Sequence, residues 1–467
     1  MIPLRARPFA REAARRGHAE TLAIALVASA FLFGGQSVDP MLVQTIPQLI
    51  AVVVLGWIGW SARKSDFATG STAILVLTGG LVLLIAAQVI PLPYAWWSAL
   101  PGRDALLPTM RLAAPGAPWH ALSEDPGATL QSAFTLLPAV AMLAVGSTLD
   151  REGMRRVIVA IVACALASLG FGLLQFAAGI DSPLYVYGRP EALQALGLFS
   201  NRNHQADALC IGLLMAGALQ YMLAPRVRLV ATWRLPIACA AAGLFGLGVL
   251  FTASRTGMLL FVPCAVLTVV AALRDRAVPR TNPIARVALV AIPLLFLLLG
   301  ATGLAVLAER MQNTGDLRFA IWPDAWYLAQ SVWPSGTGFG TFALAYQRVE
   351  SLGGVTTAYI NAAHNDYLQL LIEGGAAGVA LLLAFLGWFG RALVQLARAR
   401  GGMTGWFAAA GIGVLLVHSA DDYPLRTEAL STLFATLCVI LNLAREPVSA
   451  AIPDLAFSGG QPCTPSA

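Results

Sequence analysis

A short polar run near the end of the chain holds the residues best suited to acid–base chemistry. His364, Asn365 and Asp366 follow one another there, just before an apolar helix predicted over residues 370–390. Imidazole titrates near pH 6.5, so a histidine is mostly neutral at physiological pH and can accept a proton. His364 is therefore a candidate general base. The structural alternative is a residue at the start of the helix, with Asn365 as N-cap and Glu373 either favouring the positive helix end or orienting the imidazole.

Two arginines have positions suited to binding an anion. Arg255 separates two apolar runs, and a charge at the edge of a membrane normally has a partner or a function. Arg318 recurs with Trp322 and Trp326 at a spacing of four, which predicts an amphipathic helix over residues 316–327 along the membrane surface. Arginine binds phosphate oxygens bidentately and stays charged. The structural alternatives are a snorkelling arginine at a helix end and a solvated interfacial helix.

Other polar residues support weaker hypotheses. His204 is a second candidate proton handler, although a hydrogen-bonded loop histidine is the simpler interpretation. Asp421 and Asp422 are adjacent carboxylates without further ligands nearby in sequence, which makes a poor divalent-metal site. We therefore expect them to pair with an arginine such as Arg426.

The composition is that of a polytopic membrane protein. Of the 467 residues, 58% are hydrophobic and only 12% are charged, and the mean hydropathy is +0.72. A helix needs roughly 20 apolar residues to cross a bilayer, and about twelve such runs are present. The sequence therefore predicts an all-α integral membrane protein with a large loop that carries short amphipathic helices. The predicted spans are residues 20–35, 41–60, 72–92, 132–149, 157–179, 208–224, 235–253, 256–273, 287–308, 370–390, 406–420 and 427–444.

The distribution of positive charge predicts the orientation of these spans. With both termini in the cytoplasm, more than two thirds of the 30 basic residues fall on the inner side, as the positive-inside rule requires. The predicted organisation is a basic N-terminus over residues 1–19, a membrane domain over residues 20–445 and a cytoplasmic tail over residues 446–467. Three large segments then lie outside, over residues 93–131, 180–207 and 309–369.

Two loop features are expected to be structural. The first outer segment contains Trp96, Trp97 and Trp119, which is typical of an aromatic belt at the membrane interface. The glycine-rich turn over residues 336–340 follows no strand, so we interpret it as a tight hinge and not as a phosphate cradle.

Several function classes are excluded. The inner connections are short and contain no P-loop, so the chain has no motif for ATP-driven transport. The pI of about 9.2 follows from the topology and does not indicate nucleic-acid binding. Except for Cys463, the cysteines lie within predicted spans, so neither a disulfide framework nor a metal site is expected.

Four short stretches of the chain form a recognisable set. They are residues 197–204, with the pattern Gly-x-Phe-x-Asn-x-Asn, the pair at 254–255, and the stretches at 318–342 and 364–374. Together they resemble the signature of the O-antigen ligase and O-antigen polymerase superfamily, over about residues 180–375. A weaker likeness, at residues 418–426, is to a C-terminal segment of some polysaccharide-associated members.

The resemblance implies a bacterial inner-membrane glycosyltransferase that acts on the periplasmic face. It implies a glycan on undecaprenyl diphosphate as donor and a glycan or the lipid A core as acceptor, without a metal ion or other cofactor. In this chemistry His364 takes the proton from an acceptor hydroxyl as the oxygen attacks the anomeric carbon. Arg318 and Arg255 stabilise the departing diphosphate. Such a single displacement inverts the anomeric configuration.

The resemblance also implies contacts beyond these catalytic residues. The resemblance implies that the protein contacts membrane lipid, and it suggests chain-length regulators or export proteins as candidate protein partners. The candidate substrate-binding residues are Arg189, Arg202, Asn203, Asn365 and Glu373.

Two function classes stay open. One is the glycosyltransferase, and the other is a transporter or flippase for a lipid-linked oligosaccharide or a small solute. A transporter normally has internal repeats and interrupted helices with polar groups near mid-membrane. Here the polar groups gather on one face, which favours the enzyme. Polymerase, ligase and protein oligosaccharyltransferase share the donor chemistry, and the likeness at residues 422–426 favours the polymerase slightly.

Overall fold

The structure, a computed structural model, is built almost entirely from helices, which confirms the predicted all-α class. It describes residues 6–36, 42–63, 66–113, 116–274, 317–353, 355, 359–398 and 402–445. The helices within these residues are α1 (Ala6–Phe33), α2 (Thr45–Ser61), α3 (Thr72–Val89), α4 (Tyr94–Trp97), α5 (Leu107–Ala113), α6 (Pro126–Gly146), α7 (Arg151–Ala178), α8 (Arg202–Leu223), α9 (Arg228–Thr232), α10 (Arg234–Thr252), α11 (Arg255–Arg274), α12 (Leu317–Val332), α13 (Phe342–Tyr346), α14 (Asp366–Arg398), α15 (Met403–His418) and α16 (Glu428–Arg445).

The described part of the chain contains 10 helices long and apolar enough to cross a membrane, and α15 is a shorter apolar helix. The chain is therefore a multi-pass membrane protein. Ala253 lies between α10 and α11 and has a left-handed backbone conformation, with φ 54°. The sequence had predicted two spans at this place, joined by a very short link. The predicted span over residues 287–308 and the predicted tail over residues 446–467 lie outside the described residues.

Burial divides the helices into central and peripheral ones. In the apolar stretches of α8 and α16 that are long enough to cross a membrane, 72% and 83% of the residues are buried. The corresponding shares are 22% for the span that contains α2 and 17% for α3. The apolar side chains of α2 and α3 therefore face outward, as expected of helices in contact with lipid. The central position of α8 matters because its first two turns carry Asn203, His204 and Asp207, all of them buried.

The two ends of the bundle differ in the way their charges are arranged. Helix α8 runs from one end, at Asn203, to the other, next to Arg226. The basic end is defined by the ion pairs Arg15–Asp66, Arg16–Asp150, Arg156–Glu20 and Arg226–Glu152. The polar end is defined by Asn203, Arg255, Arg318, His364 and Asp422.

At the polar end, α12, α13 and the start of α14 enclose a second, smaller apolar core. Ile321, Ala325 and Leu328 of α12 are buried in it, whereas Trp326 is exposed. The amphipathic helix predicted over residues 316–327 is thus confirmed, with its apolar face packed on protein.

The glycine-rich turn packs against a break in α14. Gly375 has a φ of 54° and a ψ of −150° inside the helix, and a Cβ there would clash with the Pro334 carbonyl oxygen. Ala376 N donates to that oxygen at 2.9 Å, and Gly338 N donates to Glu373 O at 3.0 Å. The turn is therefore fastened to the start of α14.

The segment between α3 and α6 is an ordered platform at the same end. It contains a two-stranded antiparallel sheet of β1 (Pro91–Pro93) and β2 (Trp119–Ala121). Trp97 is buried beneath Arg103 and stacks near His120. It thus packs inside the segment and does not extend outward, while Trp96 and Trp119 are exposed as an aromatic belt requires.

Candidate functional site

His364 lies just before α14, in a backbone conformation that favours a functional role. Its φ is 48°, in the left-handed region that non-glycine residues rarely adopt and that is enriched at active sites. Its Nδ1 lies 3.2 Å from Oδ1 of Asp422. The side chain is 30% exposed whereas that of Asp422 is fully buried. The imidazole thus contacts a buried carboxylate while part of it stays accessible.

Asp422 is fixed by two asparagines at the start of α8. Its Oδ2 accepts hydrogen bonds from Asn203 Nδ2 at 2.6 Å and from Asn201 Nδ2 at 3.1 Å. Burial acts to raise the pKa of Asp422, but the hydrogen bond with His364 and the nearby imidazoles outweigh burial and hold that pKa well below its usual range. The carboxylate therefore stays charged. When Nδ1–H of His364 donates its hydrogen bond to this carboxylate, Nε2 is left as the proton acceptor.

Arg318 and the start of α11 meet at Asp421. Arg318 Nη1 lies 2.6 Å from Oδ1 of Asp421, and Thr256 Oγ1 donates to Oδ2 at 2.6 Å. Arg255 directly precedes Thr256 and directly follows Ser254, whose hydroxyl donates to the side chain of the α8 asparagine at 2.7 Å. Both sequence neighbours of Arg255, Ser254 and Thr256, thus form hydrogen bonds with residues of the site. The structure places Arg318 close to His364, on the carboxylate next to Asp422, and places Arg255 beside Thr256, which binds that same carboxylate.

The predicted substrate-binding residues of the second outer segment are separated by the fold. Arg202 is the first residue of α8, next to Asn203, and its Nη1 lies 3.5 Å from Gln194 Oε1. Arg189 pairs instead with Asp181 at 2.8 Å, and the two side chains are 66% and 79% exposed. The structure therefore brings Asn203 to the site, where it binds Asp422. It places Arg202 beside Asn203 with its side chain near Gln194, and it leaves Arg189 in an exposed ion pair.

Asn365 has a structural role that the sequence anticipated. Its Oδ1 accepts from the amides of Tyr367 at 3.1 Å and Leu368 at 3.0 Å, which confirms it as the N-cap of α14. Its Nδ2 donates to the carbonyl of Ala420 at 3.1 Å. The oxygen and the nitrogen of the Asn365 side chain therefore both fix the loop that carries His364.

Two sequence-based pairings differ in the structure. Asp421 pairs with an outer arginine, as expected, but the arginine is Arg318 and not Arg426. Glu373 Oε2 accepts from Arg426 Nη1 at 2.8 Å, and Arg426 Nε donates to Asp366 Oδ1 at 3.1 Å. Glu373 therefore clamps the start of α14 and does not orient His364. Arg426 does not pair with residues 421–422, because a 3₁₀ turn directs it back toward α14. Burial acts to lower the pKa of Arg426, but the two carboxylates raise it above its ordinary value.

Three features of the site were missed or placed differently from sequence. Asp422 is the partner of His364, and the only indication of this in the sequence was that Asp422 lies next to a predicted span. His204 lies in the first turn of α8, not in a loop, and is fully buried with its ring edge-on to Tyr423 at 5.4 Å. Its two ring nitrogens have no hydrogen-bond partner among the described residues. The pair of Asp207 and His418, at 2.6 Å, was also missed.

The arrangement can accept a proton and bind an anion side by side. His364 has the buried carboxylate needed to orient a general base, and Arg318, bound to the adjacent Asp421, supplies a cation close to it. Among the residues that the structure describes, no group of three or more His, Cys, Asp or Glu side chains could hold a metal ion.

Comparison with known proteins identifies a family that is similar to part of the chain. A family model described as O-antigen ligase matches residues 240–383, a segment that contains Arg255, Arg318 and His364. A comparison with curated proteins finds no match. The family match and the multi-pass helical fold together support a membrane glycan ligase or polymerase. The match over residues 240–383 is accordingly consistent with the O-antigen ligase and polymerase superfamily.

Proposed function

We propose that this protein transfers or polymerises a glycan from undecaprenyl diphosphate on the periplasmic face of the bacterial inner membrane. The observation that carries the proposal is the contact of the accessible imidazole of His364 with buried Asp422 at 3.2 Å, close to Arg318, which binds the adjacent Asp421. Nucleotide sugars are not available outside the cytoplasm, so the donor must arrive already activated. A polyprenyl diphosphate meets this need, because its leaving group stays in the bilayer.

In the proposed reaction, His364 is the general base. A hydroxyl of the acceptor gives its proton to Nε2 while its oxygen forms a bond to the anomeric carbon of the donor. The bond from that carbon to the diphosphate oxygen breaks, and its electron pair leaves with the diphosphate. Asp422 keeps the ring oriented and stabilises the imidazolium that forms. Attack from the face opposite the leaving group inverts the anomeric configuration.

The arginines at the polar end bind the diphosphate in this proposal. Charge grows on the bridging oxygen as the bond breaks, and fixed guanidinium groups stabilise this charge without reorganisation. Asp421 holds Arg318 at 2.6 Å and so fixes its position before substrate binds. Arg202, at the first residue of α8, extends the cationic surface. We propose that the reaction needs no metal ion, because these cations neutralise the leaving group.

The orientation of the chain follows from its two ends. The arginines of the basic end face the cytoplasm in our proposal, as the positive-inside rule requires. The polar end then opens to the periplasm, where the lipid-linked donor is available. Both termini lie in the cytoplasm in this arrangement.

The test is the surface glycan of a deletion strain, complemented with the wild type or with His364→Ala at matched protein abundance. We expect the wild type to restore normal glycan and His364→Ala to leave the deletion phenotype. Single repeat units on the usual acceptor would identify a polymerase, and full-length polymer left on the lipid carrier would identify a ligase.

Other results would contradict the proposal. Normal glycan in the deletion strain, with every related gene also removed, would favour a transporter or flippase. Full complementation by His364→Ala would rule out the role of this base. In a purified assay, activity should survive excess EDTA, and a loss that a divalent ion restores would overturn the metal-independent mechanism.

A further inference from the structure

A fully buried pair of titratable side chains lies beside the site, outside the proposed chemistry. Asp207 Oδ1 and His418 Nδ1 are 2.6 Å apart, and neither side chain has any solvent exposure. Asp207 belongs to the first turns of α8, and His418 is the last residue of α15. The pair thus joins two helices at the polar end.

The main chain of His418 anchors the turn that carries both site carboxylates. Its carbonyl oxygen accepts from the amide of Asp421 at 2.9 Å and from the amide of Asp422 at 2.8 Å. The side chain of His418 is tied to α8, so any movement of this residue moves the turn. The position of Asp422 relative to His364 therefore depends on where His418 is held.

Helix α8 holds the same turn at a second point. Asn203 donates to Asp422 at 2.6 Å, and Asn203 and Asp207 are separated by four residues, so they lie on one face of the helix. The turn is thus fastened to α8 at two places about one helical turn apart.

The helices do not need this pair in order to associate. Apolar side chains of α8 and α15, among them Leu214 and Ile412, belong to the main core, and Gly217 lies against the ring of Phe407. A buried ion pair adds little to stability on average, because desolvation of the charges offsets their attraction. Such pairs serve better to fix one geometry than to hold helices together.

We propose that Asp207 and His418 are positioning residues that set the location of Asp422, and through it the orientation of the base His364. This inference rests on the proposed function. Neither residue touches the reacting atoms, so the effect on turnover passes through Asp422.

The test uses purified protein with a lipid diphosphate-linked glycan donor. Asp207→Ala should lower kcat by about 10- to 100-fold, since small misplacement of a catalytic group has effects of this size, and should leave the KM for the donor within about twofold. Asp207→Asn should retain at least about a third of kcat, because the amide oxygen still accepts from His418 Nδ1. Gln220→Leu is the matched control: it removes a buried hydrogen bond, 2.7 Å to Arg234 O, at the far end of α8, and kcat should not change.

A double-mutant experiment separates positioning from simple destabilisation. In an Asp422→Asn background, Asp207→Ala should cost less than about threefold, because the group through which it acts is already impaired. Loss of kcat by the same factor in both backgrounds would overturn the proposal, as would unchanged kcat in Asp207→Ala. If that variant does not fold, the same comparisons are made with His418→Gln, with the same outcomes decisive.

The outcomes also distinguish this inference from the proposed function. Full activity of both His364→Ala and Asp422→Asn would remove the proposed function, and the inference with it. Loss of activity in those two variants together with normal kcat in Asp207→Ala would remove only the inference.

Discussion

Two ion pairs at opposite ends of the helical bundle differ in their exposure to water. At the basic end, Arg16 and Asp150 are 57% and 49% exposed and their charged atoms are 3.4 Å apart. At the polar end, Arg103 and Glu124 are 0% and 2% exposed and 3.0 Å apart. Similar residue types thus occupy a surface at one end and an interior at the other.

This difference predicts where substitutions matter. An exposed pair contributes only about 0–1 kcal/mol, because water screens the charges and side-chain entropy opposes the contact. A buried charge that loses its partner costs far more. His364 and Arg318 lie between these extremes, with side chains 30% and 21% exposed. Each is accessible to a substrate while it contacts a carboxylate fixed by protein.

The largest effect expected at the polar end is that of His364→Ala on glycan transfer. Loss of a general base lowers the rate by about 10²- to 10⁴-fold, and the turnover of purified protein at equal abundance measures it. The matched control at the basic end is His18→Ala, which removes an exposed histidine and should leave turnover unchanged. Equal losses in the two variants would erase the functional distinction between the ends.

The largest stability effect is expected at Glu124, which lies between two arginines. Its Oε1 is 3.0 Å from Arg103 Nη1 and its Oε2 is 2.9 Å from Arg348 Nη1. Glu124→Ala leaves two cations without this partner and should lower the free energy of unfolding by about 3–5 kcal/mol, measured by denaturation in detergent. Asp181→Ala, in an exposed pair, is the control, and it should change stability by less than about 1 kcal/mol.

Prediction from sequence succeeded where local pattern determines structure. The span predicted over residues 235–253 is α10, Arg234–Thr252, because a run of apolar residues fixes a membrane helix. The span predicted over residues 370–390 extends to Asp366–Arg398, because hydropathy does not count the polar first turn and the basic last turn. Candidate site residues that share a short motif, such as His364 and Asn365, could likewise be named from the sequence.

Long-range partners could not be predicted in the same way. Asp422 lies 58 residues from His364 and 219 from Asn203 along the chain, and only packing brings the three together. Proximity in sequence suggested Arg426 as partner of the adjacent acids. The direction of one 3₁₀ turn decides otherwise, and hydropathy carries no information about it.

Arg318 tests whether charge alone is sufficient at the polar end. Arg318→Ala should lower glycan transfer by about 10- to 100-fold, somewhat less than loss of the base, since Arg255 remains. Arg318→Lys should recover only part of this loss, because an ammonium lacks the bidentate fork that matches phosphate. Arg111→Ala, an exposed arginine outside the site, is the control. Full activity in Arg318→Lys would show that position and charge suffice without the guanidinium geometry.

The smallest effect is expected for Arg16→Ala at the basic end, where stability should change by no more than about 1 kcal/mol. Its partner needs separate treatment, because Asp150 Oδ1 also accepts from Glu152 N at 3.0 Å and Gly153 N at 2.8 Å as the N-cap of α7. Asp150→Ala should therefore cost about 1 kcal/mol through the lost cap. A double-mutant cycle isolates the ion pair, and its coupling energy should be below about 1 kcal/mol. A coupling energy as large as the stability loss expected at Glu124 would contradict the prediction, because it would mean that exposure to water does not decide how much an ion pair contributes.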